Sequence, residues 1–211
     1  MIRTTPRIIL FDADEVIQTW KSDHRAMFAA LIEHGANVDR FIADIYAAEA
    51  PCLSGLDDLA PRLAPVLSRW KSTRTVEDVL TLSTMVHPDA EILQLVRALR
   101  RSGVRCHLAS NQHVHRASYM AETLGYAQLF DSAFYSCHIG AKKPDARYFS
   151  AVLEQLRTEP ERILFIDDLA ENVAAARRAG LQAIQFHISS GVAHLRRLIA
   201  DCGILVVEES L

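Results

Sequence analysis

Five short apolar runs alternate with helical patterns in this chain, four of them after about residue 88, and this alternation restricts the fold most. Such an alternation is typical of a parallel sheet that helices cover on both faces. The sequence therefore predicts an α/β protein with a doubly wound, Rossmann-like parallel sheet. The predicted strands are RIILF (7–11), VRCHLA (104–109), AFYS (133–136), RILFI (162–166) and QAIQF (182–186).

Helices are predicted between these strands from apolar residues spaced at i, i+3, i+4 and i+7. After Pro88, the residues Ile92, Leu95, Val96 and Leu99 follow this spacing. Similar stripes follow Pro144, precede Gly180, and cover about residues 192–199.

The segment 18–86 interrupts the alternation because its pattern is helical and contains no clear strand. It enters the chain directly after the first predicted strand, and inserts at strand ends lie where substrates bind in such folds. We therefore expect a core formed by residues 1–17 and 87–211 and a helical cap formed by residues 18–86.

Composition excludes several classes of protein. The net charge of −3 and the absence of a basic stripe argue against a nucleic-acid partner. No apolar run approaches the roughly 20 residues that span a bilayer, and Asp12 interrupts the apolar run near the N-terminus before a signal peptide could form. The four cysteines show neither disulfide-scaffold nor zinc spacing. The sequence predicts a cytoplasmic protein without membrane contact, and it leaves the oligomeric state open.

Polar residues follow four of the predicted strands. The carboxyl ends of parallel strands share one edge of the sheet, where ligands bind, so we expect these residues to converge. Acidic side chains from two strand ends can hold Mg²⁺, which prefers oxygen ligands. The residues are Asp12 and Asp14 after the first strand, Ser110 and Asn111 after the second, Lys143 after the third, and Asp167 and Asp168 after the fourth.

The motifs around these residues resemble those of the haloacid dehalogenase superfamily, in particular its aspartyl-phosphate-forming phosphohydrolases. The four stretches occur in the order of the family and span nearly the whole predicted core, and the last two are the most distinctive. They are FDADEV (11–16), ASN (109–111), KKPDARYF (142–149) and FIDDLAENVAAARRAG (165–180).

The resemblance implies a role for each polar residue. Asp12 would be the nucleophile that attacks phosphorus, and Asp14 the acid that protonates the leaving oxygen. Mg²⁺ would be bound by Asp12, the main-chain carbonyl of Asp14 and Asp168, with Asp167 as a further ligand or a neighbour of the ligands. The phosphate would be bound by Ser110, Asn111 and Lys143.

The lysine pair 142–143 and residue 15 are two positions at which the family resemblance matters. Residue chemistry alone does not choose between Lys142 and Lys143, whereas the resemblance selects the lysine that directly precedes Pro144. Glu15 departs from the family pattern, in which many members have glycine just after the second aspartate. This departure bears on the local turn and on metal affinity.

The resemblance implies a Mg²⁺-dependent phosphatase that hydrolyses a small phosphomonoester, such as a sugar phosphate or a similar metabolite. A phosphomutase, which would share Asp12, Asp14 and the metal site, stays open, as does a non-catalytic binding module that retains the fold. Carbon–halogen hydrolysis is disfavoured because the dehalogenases of this superfamily lack an acid at the position of Asp14. The candidates for residues that set substrate specificity lie at the start of the insert and are Trp20, Lys21, Asp23 and His24. The alternative role of Trp20 is to pack the cap against the core.

Overall fold

The computed structural model describes residues 5–205, and a five-stranded sheet forms its centre. All neighbouring strands of this sheet pair in parallel, in the order β5-β4-β1-β6-β7. The strands are β1 (Ile8–Phe11), β4 (Arg105–Ser110), β5 (Ser132–Tyr135), β6 (Ile163–Asp167) and β7 (Gln182–Gln185). The predicted parallel α/β fold and all five predicted strands are confirmed.

The central strand β1 shows why short apolar runs form this sheet. All four of its side chains are buried, and they alternate between two apolar clusters on opposite faces of the sheet. Ile9 and Phe11 pack into one cluster, while Ile8 and Leu10 pack into the other. A strand covered on both faces therefore reads as a continuous apolar run rather than an alternating one.

Helices cover the two faces of the sheet, and each predicted helical stripe corresponds to one of them. In α5, Ile92, Leu95, Val96 and Leu99 are fully buried against the sheet, and the side chain of Asp89 caps the first turn. The helices of this part are α5 (Ala90–Arg101), α6 (Val114–Ser118), α7 (Tyr126–Leu129), α8 (Ser136–Ile139), α9 (Ala146–Leu156), α10 (Ala170–Arg178) and α11 (Val192–Asp201), with a π-helical turn at Tyr119–Thr123.

The segment between β1 and α5 forms a helical unit with its own apolar cluster. Its helices are α1 (His24–Ala29), α2 (Val38–Glu49), α3 (Leu59–Arg69) and α4 (Val76–Ser83). The expectation that residues 18–86 contain no strand is wrong, because β2 (Gln18–Trp20) pairs antiparallel with β3 (Val86–Pro88) where this unit joins the core. Strands of three residues are too short to show a periodic pattern.

The division into core and cap stays a prediction, and the ends of the predicted core range, residues 1–4 and 206–211, lie outside the described residues. No helix among residues 5–205 combines the length and the apolarity that crossing a membrane requires. All four cysteines are free thiols.

Candidate active site

The polar residues predicted from the sequence lie at the carboxyl edge of the sheet. Asp12 follows β1, Ser110 ends β4 and Asp167 ends β6, and each of the three is buried. A cavity of about 200 Å³ opens beside them. Its walls include Asp12, Asp14, Glu15, Ser110, Asn111, Lys143, Asp168 and Asn172.

Lys143 connects two strand ends through its side chain. Its Nζ lies 2.9 Å from Asp12 Oδ1 and 2.7 Å from Asp167 Oδ2, and the residue is only 2% exposed. Asn111 positions this lysine, because its side-chain amide accepts a hydrogen bond from Lys143 N and donates one to Lys143 O, both at 2.9 Å. Lys143, which directly precedes Pro144, is therefore the lysine that contacts the predicted nucleophile. The side chain of its neighbour Lys142 is only half-buried.

Asp167 is held by several hydrogen-bond donors besides Lys143. It accepts hydrogen bonds from Asn172 Nδ2 at 3.0 and 3.1 Å and from the main-chain N–H of Leu169 at 2.9 Å. Asn172 is absent from the sequence-predicted site. Its place in the first turn of the helix that follows Asp167 and Asp168 is a signal that could have identified it.

Oxygen atoms from Asp12, Asp167 and Asp168 all lie within 4.8 Å of one another. Lys143 is the ammonium in contact with this acidic cluster, so three carboxylates and one cation leave two excess negative charges. Oxygen ligands of this charge fit Mg²⁺, which completes its coordination with water or substrate oxygens. The predicted ligand role of Asp14 concerns its main-chain carbonyl and stays a prediction.

Electrostatic effects differ among the carboxylates of the site. Burial raises the pKa of Asp12, and the nearby ammonium of Lys143 opposes that rise. Burial and the charge of Asp167 likewise raise the pKa of Asp168. Both shifts have the direction expected for crowded carboxylates that a bound cation would stabilise.

Asp14 has a different environment from Asp12. Arg116 donates to both of its carboxylate oxygens, at 2.6 and 2.7 Å, while Gln18 and Gln112 donate at 2.9 Å each. Burial alone would raise the pKa of Asp14, but Arg116 and these hydrogen bonds hold it below its usual value. Tyr126 completes the network by donating to Gln18.

Sequence reasoning missed Gln18, Gln112 and Arg116. Gln112 directly follows the predicted pair Ser110 and Asn111, and Arg116 lies one helical turn later, so proximity to that motif was a usable signal. Nothing in the local sequence indicates that the side chain of Arg116 pairs with a residue 102 positions earlier.

Glu15 adopts a left-handed backbone conformation, with φ of 56°. This conformation favours glycine because a side chain makes it costly. The turn after Asp14 therefore has a conformation that glycine adopts most easily, although glutamate occupies it. The carboxylate of Glu15 accepts a hydrogen bond from Thr19 at 3.2 Å and lies 3.4 Å from His187.

Comparison with known proteins assigns the chain to a family. The model of the haloacid dehalogenase-like hydrolases matches residues 6–180. A sesquiterpene phosphatase from Aspergillus oryzae is 32% identical over 117 residues, which are 54% of this chain and 59% of the relative. This chain thus covers less than two thirds of that relative's length.

Two further proteins extend the similarity over most of the chain. An N-acetylmuramic acid 6-phosphate phosphatase from Pseudomonas aeruginosa is 26% identical over 187 residues, which are 85% of this chain and 81% of the relative. A HAD family enzyme from Bacteroides thetaiotaomicron, solved with magnesium and inorganic phosphate, superposes with a TM-score of 0.76 at 17% identity. That superposition covers 90% of this chain and 98% of the other, and it shows a shared fold.

Proposed function

The chain belongs to the haloacid dehalogenase-like hydrolase family, and from this premise we propose that it hydrolyses a small phosphomonoester in a Mg²⁺-dependent reaction. One observation carries the proposal: the buried ammonium of Lys143 bridges Asp12 and Asp167, beside a cavity that Ser110 and Asp168 also line. Such a site combines a nucleophilic carboxylate with cationic and hydroxyl groups that can bind a phosphate.

The reaction divides into two displacements. In the first, a carboxylate oxygen of Asp12 attacks phosphorus, the ester P–O bond breaks, and the leaving oxygen takes a proton from Asp14, which has to take up that proton before the step against the pKa-lowering charge of Arg116. In the second, Asp14 accepts a proton from water, whose oxygen attacks phosphorus. The bond from phosphorus to Asp12 then breaks, so inorganic phosphate leaves and the carboxylate is restored.

The other residues bind and orient the phosphate. Lys143 places a positive charge beside Asp12, so the repulsion between the carboxylate and the phosphate oxygens is reduced. The hydroxyl of Ser110 and the main-chain N–H of Asn111 are further donors for those oxygens. Magnesium bound by Asp12, Asp168 and Asp167 would supply charge neutralisation of the phosphate as it is transferred.

We propose α1 to α4 as the cap that covers the substrate. The names of the relatives give two contrasting classes for a substrate panel, because a terpenoid alcohol is apolar and N-acetylmuramic acid is polar. A panel of sugar, nucleotide, terpenyl and short-chain phosphomonoesters therefore spans the polarity that the cap has to accommodate.

The test is phosphate release from this panel with Mg²⁺ or with EDTA, comparing the native chain with Asp12→Asn. Asp201→Asn is the matched control, since it makes the same chemical change at an exposed site at the end of α11. We expect Mg²⁺-dependent release that is lost in Asp12→Asn and retained in Asp201→Asn. Release that survives Asp12→Asn would refute the covalent mechanism, and no release from any ester would favour a phosphomutase or a binding module.

A further inference from the structure

A second cavity, of about 250 Å³, lies between the helical unit and the core. Its apolar walls come from all four helices of that unit, and we call it the cap chamber. The side chains Phe28, Ile45, Leu59, Leu63 and Val79 line it, and each is at most 5% exposed because each also belongs to the apolar cluster of α1 to α4. The cap chamber therefore extends into the hydrophobic interior of the helical unit.

The cap chamber adjoins the cavity beside Asp12. Asp14 and Asn111 line both cavities, so the predicted acid stands at the junction between them. A phosphate beside Asp12 and Lys143 would direct its ester oxygen past Asp14, and the group attached to that oxygen would enter the cap chamber. This juxtaposition connects the phosphate site to an apolar compartment through the residue that would protonate the leaving group.

Polar groups line the cap chamber from two sides: Asp14, Asn111, Gln112, His113 and Arg116 belong to the core, and Tyr46, Glu49 and Ser83 belong to the helical unit. Arg116 and Gln112 both donate to Asp14, and Arg116 also lies over the ring of Trp20, 5.0 Å from its centroid. His113 is 1% exposed, and its Nε2 lies 3.6 Å from Glu49 Oε1 without a hydrogen-bond partner in the described part of the chain. The groups around Asp14 can therefore contact atoms next to the ester, whereas Phe28, Leu63 and the other apolar side chains of the lining offer hydrocarbon.

The chemistry of the walls selects among leaving groups. Each hydroxyl of a sugar placed against the apolar side chains of the lining would lose its hydrogen bonds to water without gaining a partner. A hydrocarbon chain would instead leave water for an apolar surface, which is favourable in proportion to the area removed from water. The volume of about 250 Å³ lies just below the usual range for ligand sites, so it suits one chain of moderate length.

We propose that the cap chamber binds the hydrocarbon part of an aliphatic phosphomonoester, so that the substrate is the monophosphate of an apolar alcohol. This inference rests on the proposed phosphatase function and specifies its substrate class. The inference concerns only the alcohol that is released, and the two displacements at phosphorus stay the same.

The first experiment measures kcat/KM for butyl, hexyl and octyl phosphate below their critical micelle concentrations, with glucose 6-phosphate as the polar comparison. The bond that breaks is chemically the same in the three alkyl esters, so differences report binding of the chain. We expect kcat/KM to rise by up to about fourfold per methylene until the cap chamber is filled. We also expect all three alkyl esters to be better substrates than glucose 6-phosphate.

A variant that fills part of the cap chamber tests whether the dependence on chain length arises there. Val79→Phe adds volume to the wall contributed by α4, and it should reduce kcat/KM for octyl phosphate much more than for butyl phosphate. Val76→Phe is the matched control, because it makes the same change one turn earlier on α4 at a half-buried residue outside the chamber lining. It should keep the native dependence on chain length.

Binding of unreactive alkyl phosphonates separates this inference from the proposed function. Titration calorimetry with octylphosphonate and butylphosphonate in the presence of Mg²⁺ should give tighter binding of the longer chain, and Val79→Phe should remove the difference. If glucose 6-phosphate is hydrolysed but chain length changes neither kcat/KM nor phosphonate affinity, the chamber inference is overturned and the phosphatase proposal survives. If no ester is hydrolysed but octylphosphonate binds more tightly, the phosphatase proposal fails and with it the substrate assignment, and only hydrocarbon binding by the cap chamber is supported.

Discussion

The guanidinium of Arg116 and the carboxylate of Asp14 form a two-pronged ion pair, with Nη2 to Oδ1 at 2.6 Å and Nη1 to Oδ2 at 2.7 Å. The side chain of Arg116 is only 9% exposed, so the pair is partly shielded from water. A planar fork fixes both the position and the orientation of the carboxylate. Arg116 is therefore a candidate positioning residue for the predicted acid.

The Arg116–Asp14 pair predicts that the loss of activity in an Arg116 variant depends on the leaving group of the ester. Arg116→Met removes the fork that orients Asp14 and also lets the pKa of Asp14 rise. Misplacement should outweigh the easier protonation, so hydrolysis of an alkyl phosphate should fall by about 10²-fold. Hydrolysis of 4-nitrophenyl phosphate should fall much less, because its leaving group is a stable anion that needs no proton. The measurement is the ratio of kcat/KM values for the two esters.

Two further variants control this experiment. Asp14→Asn should show the same selective loss, because it removes the acid itself. Arg25→Met breaks an exposed Arg–Asp pair in the helical unit and should leave the ratio at the native value. Equal losses on both esters in Arg116→Met would contradict a role through Asp14.

Magnesium should stabilise the fold through the acidic cluster. At a concentration 100 times its Kd, an ion that binds only the native state adds about 2.7 kcal/mol to the free energy of unfolding. Asp168→Asn should lose most of this increment because it removes one of the three clustered carboxylates. Thermal unfolding with and without Mg²⁺ measures the effect, and Asp201→Asn should behave as the native chain. An undiminished increment in Asp168→Asn would exclude Asp168 as a ligand.

The sheet and the residues at its edge were predictable because each follows from local sequence. A buried parallel strand is a continuous apolar run, and a polar residue directly after it, such as Asp12 or Asp167, lies at the shared edge by geometry. The pairing of Arg116 with Asp14 was not predictable, since it depends on how α6 packs against the end of β1. The cap chamber was equally inaccessible, because apolar residues that line a cavity have the same sequence pattern as residues that fill a core.

Glu15 gives a prediction about backbone strain. Relief of the left-handed conformation is worth about 1–2 kcal/mol, and the greater freedom of glycine in the unfolded chain costs about 0.4–1 kcal/mol. Glu15→Gly should therefore raise the free energy of unfolding by up to about 1.6 kcal/mol, measured by urea denaturation. Arg157→Gly, at a φ of 48° away from the site, is the matched control. A loss of stability confined to Glu15→Gly would mean that the contacts with Thr19 and His187 outweigh the strain.

His107 should make the fold sensitive to acid. Burial lowers its pKa to about 4, and its Nδ1 lies 2.7 Å from the hydroxyl of Ser132. Because the native pKa lies below the unfolded value of about 6.5, the unfolded state binds the proton first. The contribution is fully present above about pH 6.5 and is lost as the pH falls towards 4.

The expected loss from His107 between pH 7 and pH 5 is about 1–2 kcal/mol. Urea unfolding at the two pH values measures it, with His107→Gln as the comparison because glutamine cannot take up the proton. The variant should lose less stability than the native chain over this interval. Equal losses in the two proteins would show that His107 does not contribute to the acid sensitivity.

Gly55 provides a test of how the helical unit is seated on the core. It lies in the turn after α2 with φ of 67°, and a Cβ placed there would collide with the main-chain carbonyl oxygen of Cys137 in α8. Gly55→Ala should therefore cost about 1 kcal/mol for the conformation and about 1–3 kcal/mol more for the collision. Gly35→Ala is the matched control, because its φ is 89° and no other group lies within 4 Å of the added carbon. Chemical denaturation should show the larger loss only in Gly55→Ala, since only that variant forces the helical unit away from the core. Equal losses in the two variants would mean that the close approach to Cys137 can relax at no cost.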